Sequence, residues 1–114
     1  MTTVFVGGSR HASRLSAPVR LRIDKIIEKG FPILIGDANG ADKAVQQYLR
    51  TRHYTNVEVF CSAGICRNNV GEWRIRSIPA DARSRTAQFY SAKDRAMAEE
   101  ATVGLMIWDG ESVG

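Results

Sequence analysis

The chain has 114 residues, 44% hydrophobic and 25% charged, with 16 Lys and Arg against 12 Asp and Glu for a net charge of +4. At roughly 100–200 residues per domain this is a single domain of ordinary globular composition, which excludes a disordered tail and a multidomain machine. The basic excess helps attract an anion but is too small to imply nucleic acid by itself.

No run approaches the ~20 apolar residues needed to cross a bilayer, and Met1-Thr2-Thr3 leads straight into a strand-like stretch without a basic leader. Cys61 and Cys66 are too close in sequence to staple a fold. They also lack Cys or His partners at zinc-ligand spacing, so no metal site is expected. These features read as a cytoplasmic, soluble, reduced protein with no resident cofactor and no membrane partner.

In chain order, the first element is a strand over Thr3-Val4-Phe5-Val6, ending in the turn Gly7-Gly8-Ser9-Arg10. Apolar residues at helical spacing (Val19, Ile23, Ile26, Ile27) predict a helix over 16–29, with Ser16 as N-cap, Pro18 in the first turn and Gly30 at the end. Pro32-Ile33-Leu34-Ile35 is a second strand, followed by the loop Gly36-Asp37-Ala38-Asn39-Gly40. Ala41, Ala44, Val45 and Tyr48 then mark one face of a helix over 41–50. Val57-Glu58-Val59-Phe60 alternates and reads as a strand nearer the sheet edge.

Residues 62–85 read as a long irregular stretch carrying Arg67, Arg74, Arg76, Arg83 and Arg85 around Trp73. A helix covers about 91–101, starting as early as Thr86, with Met97 and Ala101 inward. The last strand is 103–108, followed by Asp109-Gly110-Glu111-Ser112. Short, nearly continuous apolar strands alternating with helices predict a Rossmann-like three-layer αβα sandwich with a mostly parallel sheet, in one domain over 1–114.

In such sheets a ligand sits beyond the carboxyl ends of the strands. Gly7, Gly8 and Ser9 let backbone N–H groups approach phosphate oxygens, and Arg10 adds a bidentate counter-charge. In the second loop, Gly36 and Gly40 lead into a helix start, while Asp37 and Asp42 suit ribose hydroxyls better than phosphate. A simple N-cap role for Asp37 or Asn39 is the plain alternative. Lys93, sharing a helix face with Met97, is a further phosphate counter-charge, or else a solvated lysine. Neither glycine loop matches the dinucleotide fingerprint or a P-loop. The arginines around Trp73 suit a gripped nucleic-acid strand, but a solvated loop or subunit contact explains them as well and is preferred. His11 and His53 read as surface residues.

Five segments occur in order: Val4-Phe5-Val6-Gly7-Gly8-Ser9-Arg10, Ile35-Gly36-Asp37-Ala38-Asn39-Gly40-Ala41-Asp42, Arg67-Asn68-Asn69, Lys93-Asp94-Arg95-Ala96-Met97 and Trp108-Asp109-Gly110-Glu111-Ser112-Val113-Gly114. Together they make the chain resemble the SLOG superfamily, the Rossmann-like fold shared by DNA-processing Smf/DprA proteins and Lonely Guy phosphoribohydrolases. The likeness is greatest to small stand-alone members of unknown function. The resemblance implies a nucleotide-derived ligand held as by a sensor or carrier, with a phosphate loop beginning at Gly110 and Ser112. It also implies that the helix and strand which normally follow this loop are missing, so the chain reads as truncated or covered by another copy, and a homo-oligomer is expected.

Lonely Guy enzymes carry a P-G-G-x-G-T-x-x-E loop where this chain has Asp109-Gly110-Glu111-Ser112, and their arginine aligns with Lys93. Glycosidic cleavage needs a positioned carboxylate, for which Asp37, Asp94 and Glu111 are the candidates. A phosphoribohydrolase-like enzyme therefore ranks second to a binding module, and single-stranded DNA binding third.

Overall fold

The fold was analysed in a computed structural model, which describes residues 2–9, 11, 12, 14–62, 64–79 and 87–107, without the side chains of 87–92 and 94. The described elements are β1 (Val4–Gly8), α1 (Ala17–Lys29), β2 (Ile33–Gly36), α2 (Ala41–Thr51), β3 (Val57–Ser62), β4 (Arg74–Ile78), α3 (Ala87–Glu100) and β5 (Val103–Ile107). The five strands form one sheet in the order β4-β3-β2-β1-β5, and every pairing is parallel.

The helices form where the sequence signals them. Ser16 caps α1, its hydroxyl accepting from the Val19 N–H, and Gly30 ends the helix in the left-handed conformation at φ 70°. Val4, Val6, Ile33, Ile35, Val57 and Val59 face one side of the sheet, where Ile23 of α1 and Val45 and Leu49 of α2 meet them. Leu34 and Phe60 face the other side, against Met97 of α3, with Phe5 and Ala101 packed at the margin. Strand residues alternate between faces, so this division of the apolar residues builds the three layers: α1 and α2, the sheet, and α3. The expected Rossmann-like αβα architecture is therefore the observed one.

One expectation about the sheet is refined and one needs correction. The strand over Val57–Ser62, read as nearer the edge, is second from it, paired to β2 on one side and to the edge strand β4 on the other. Its alternation arises from Glu58, which pairs with Arg76 at 3.0 Å on the adjoining strand. The irregular stretch contains a strand, β4, running from Arg74 to Ile78. Arg76 lies 5.1 Å from the Phe60 ring centroid and also pairs with Glu100 of α3. An edge strand need bury only part of one face, so Arg-Ile-Arg-Ser-Ile carries little apolar signal.

The chain steps outward from β1 through β2 and β3 to β4, then returns to the other side of β1 for β5. The order reverses between β1 and β5, and the crevice at the carboxyl ends there is the expected ligand position of an open parallel sheet. Among the described residues no helix is long and apolar enough to cross a membrane.

Candidate functional site at the carboxyl edge of the sheet

Gly7 and Gly8 belong to the last two rungs of β1, in register with Met106 and Ile107, rather than to the turn expected from sequence. A Cβ on Gly8 would stand 2.2 Å from the Ile107 carbonyl oxygen, so glycine is needed there for β5 to approach. The turn begins at Ser9. Its N–H donates to the Ile107 carbonyl at 2.9 Å, and its own carbonyl accepts from the Ala41 N–H at 3.0 Å. Its hydroxyl accepts from the His11 N–H at 3.1 Å. One residue thus ties the end of β1 to the end of β5 and to the start of α2.

β2 delivers Gly36 and then Asp37. Asp37 is 1% exposed, and both of its carboxylate oxygens are engaged within the protein. Oδ1 accepts from Lys93 Nζ of α3 at 2.9 Å and from Arg67 Nη2 at 3.0 Å; Oδ2 accepts from the Arg67 backbone N–H at 2.9 Å. Lys93 is 3% exposed, whereas the Arg67 side chain is 34% exposed. Burial pushes the Asp37 carboxyl up. The Arg67 side-chain and backbone hydrogen bonds, followed by Lys93, outweigh it and hold the group below the usual aspartate value.

The surroundings fix this cluster. A Cβ on Gly36 would lie 2.4 Å from Asp42 Oδ2 and 3.1 Å from Lys93 Nζ, so the missing side chain makes room for both charged groups. Asp42 Oδ2 accepts from the Ala38 N–H at 3.2 Å. Gln46, fully buried on α2, donates to the carbonyls of Gly36 at 2.9 Å and Asn68 at 3.1 Å, and accepts from the Val70 N–H at 3.0 Å. Asn68 donates to the Asp37 carbonyl at 2.8 Å and to Asn39 Oδ1 at 3.0 Å. The residues from Arg67 to Val70 are thereby laced onto the β2–α2 turn.

Several sequence readings change here. Neither Asp37 nor Asn39 caps α2; Gly40 occupies that position without a side-chain cap. Both Asp37 oxygens are held by cations of its own chain, so the carboxylate expected to accept from ribose hydroxyls is already engaged. Lys93 is buried and paired, not solvated. His11 and His53 are exposed, as expected.

Cys61 and Cys66, expected to be reduced, are joined by a disulfide, their Cα atoms 5.0 Å apart. The intervening residues turn back on themselves, with the Ile65 N–H donating to the Ser62 carbonyl at 2.9 Å. One donor atom from each of Asp37, Cys61 and Cys66 lies within 4.8 Å of the others. The set does not suit a cation in this state, because the sulfurs are bonded to each other and the carboxylate already carries two cationic partners.

Arg10, Gly110, Glu111 and Ser112 lie outside the described residues, and of Asp94 only the helical backbone is described. The site roles of Arg67, Asn68 and Gln46 were not drawn from the sequence. Sequence singles out Arg67 as one of the arginines of the irregular stretch and Arg67-Asn68-Asn69 as part of the resemblance; the partners lie 22 to 31 residues away and leave no local pattern. One hollow, about 730 Å³, opens at the opposite, amino-terminal edge among Ile33, Val57, Trp73, Arg74 and Arg76; it holds none of the residues expected to bind a nucleotide, but Trp73 and the two arginines belong to the stretch weighed for nucleic acid.

Fold and geometry together define an α/β protein of Rossmann-like type with a buried carboxylate–cation cluster at the carboxyl edge of its sheet. Compared with family models, curated proteins and solved structures, the chain matches none.

Proposed function

We propose that this chain is a SLOG-type binding domain for a nucleotide-derived ligand, acting as a sensor or carrier. The observation that carries the proposal is the double hydrogen bonding of Ser9, to Ile107 of β5 and to Ala41 at the head of α2. That junction lies at the strand-order reversal, where open parallel sheets take their ligands. A ligand phosphate meets the Ser9 turn and the helix start, with Lys93 and the partly exposed Arg67 as counter-charges. Asp37 orients those two cations. Phosphate next to buried, preoriented cations in low dielectric is held more tightly than in water.

A thermal-shift screen over nucleoside mono-, di- and triphosphates and ADP-ribose derivatives tests the reading. A ligand at 100 times its Kd adds about 2.7 kcal/mol of stability, a rise of several degrees for a domain of this size. Lys93→Met is expected to abolish the rise, measured from the variant's own Tm. No stabilisation by any of them overturns the proposal, and release of free base from a nucleoside monophosphate replaces it with the hydrolase reading. Self-association belongs to the same proposal: among the described residues β4 and β5 each pair on one side only. Light scattering on the eluting protein is expected to give a mass above that of one chain.

A further inference from the structure

We propose that the Cys61–Cys66 disulfide is a reversible redox site that sets how firmly Arg67 is held against Asp37. This concerns the geometry of the cluster and does not depend on which ligand, if any, the site takes.

Cys61 is the penultimate residue of β3 and is fully buried in the larger core cluster. Cys66 is half-buried and immediately precedes Arg67. The bond therefore anchors the chain to the sheet one residue before Arg67 turns its backbone N–H and guanidinium onto Asp37. A Cα separation of 5.0 Å lies within the range that a disulfide spans without moving the backbone. The Ser62–Ile65 bridge brings the two ends of the turn together independently of the sulfurs, so the pair can open and close again in place.

Reduction changes two things at once. It removes the covalent anchor, leaving the Arg67–Val70 segment attached by the bonds of Arg67 to Asp37 and by those of Asn68 and Gln46. It also places two S–H groups within 4.8 Å of an Asp37 carboxylate oxygen, with the Cys66 sulfur 3.7 Å from the Asn68 carbonyl, so new weak donors stand beside the groups that hold Arg67.

The reductant is a dithiol. Its thiolate attacks the more exposed Cys66 sulfur, the Cys61 sulfur leaves as a thiolate and takes up a proton, and a mixed disulfide remains on Cys66. The second thiol of the dithiol loses its proton and attacks its own bonded sulfur, releasing Cys66, which is protonated in turn. Two electrons and two protons pass from the dithiol to the protein, and the dithiol becomes a cyclic disulfide.

The test compares the whole protein equilibrated in oxidised and in reduced dithiothreitol. Alkylation followed by mass measurement is expected to find no free thiol in the first case and both cysteines free in the second. Amide exchange is then followed over 64–70. We expect the Arg67 and Val70 amides to exchange about ten-fold faster after reduction, with Ile33–Ile35 unchanged. The Cys61→Ser/Cys66→Ser double variant is expected to show the fast pattern in either buffer. If that variant does not fold, the two states of the unaltered chain still decide the matter. Two alkylatable thiols persisting in oxidant, or equal exchange at Arg67 in both states, overturns the proposal.

Discussion

Asp37 shows most directly what one buried charge demands. With 1% exposure it is stable as an anion only because Arg67 and Lys93 bind it, and Lys93, at 3%, depends on it equally. Removing one partner from such a pair costs about 3–5 kcal/mol, because the other is left buried and uncompensated. Asp37→Asn is therefore expected to destabilise the fold by about that amount in urea unfolding. Lys93→Met is expected to cost distinctly less, since Asp37 keeps Arg67 and the methionine stays apolar beside Met97.

The sign of the pH dependence follows from the same contacts. The folded-state carboxyl lies below its ordinary value, so the unfolded chain takes up its proton first as the pH falls. The Asp37 contribution is complete above about pH 4 and is lost as pH falls further, through the depressed folded value. Urea midpoints measured from pH 6 down to acid are expected to fall less steeply in Asp37→Asn than in the unaltered chain over that window.

At the scale of elements, glycine marks where charged or backbone groups crowd together. Gly36→Ala puts a methyl group 2.4 Å from Asp42 Oδ2 and 3.1 Å from Lys93 Nζ, and both must shift. Gly8→Ala meets a carbonyl of β5, which cannot swing aside as a side chain can. Overpacking of this kind costs about 1–3 kcal/mol. Thermal unfolding is expected to show the larger loss for Gly8→Ala, while Gly36→Ala is expected to weaken any ligand response more than stability.

Legibility in the sequence divides along the same elements. β1, β2 and β5, the three helices and the α1 caps were readable because apolar spacing and capping residues act locally. β4 was not, since its rungs are mostly arginine and serine, and β3 was read as nearer the edge because of Glu58, whose partner is on the next strand. In α2 the expected inward residues Ala44 and Tyr48 are only half-buried, while Gln46 and Leu49 are fully buried. Tyr48 instead reaches Asp24 of α1, its hydroxyl donating to Oδ1 at 2.6 Å. Gln46 goes inward because three backbone groups of distant loops need it, which no helical periodicity reveals. Lys93 and Asp37 were singled out as residues, but their mutual pairing spans 56 positions and only the closed fold brings it about.

For the whole molecule, the described buried apolar residues divide between the two sides of the sheet, Ile23, Val45 and Leu49 packing on one and Met97 of α3 packing with Leu34 and Phe60 on the other. The place of β1 between β2 and β5 has a further consequence. β1 precedes the other described strands in the chain, yet one of its two neighbours, β5, comes last among them, and Thr3 and Thr102 tie the pair through two hydrogen bonds of the Thr102 hydroxyl and one between backbones. Until β5 has left the ribosome, β1 therefore waits with a bare row of amides and carbonyls along one flank, the condition in which nascent chains are most easily captured by one another. Chains halted by a stop codon before Val103 are expected to pellet on expression to a greater extent than chains that include β5, as comparison of pellet and supernatant will show.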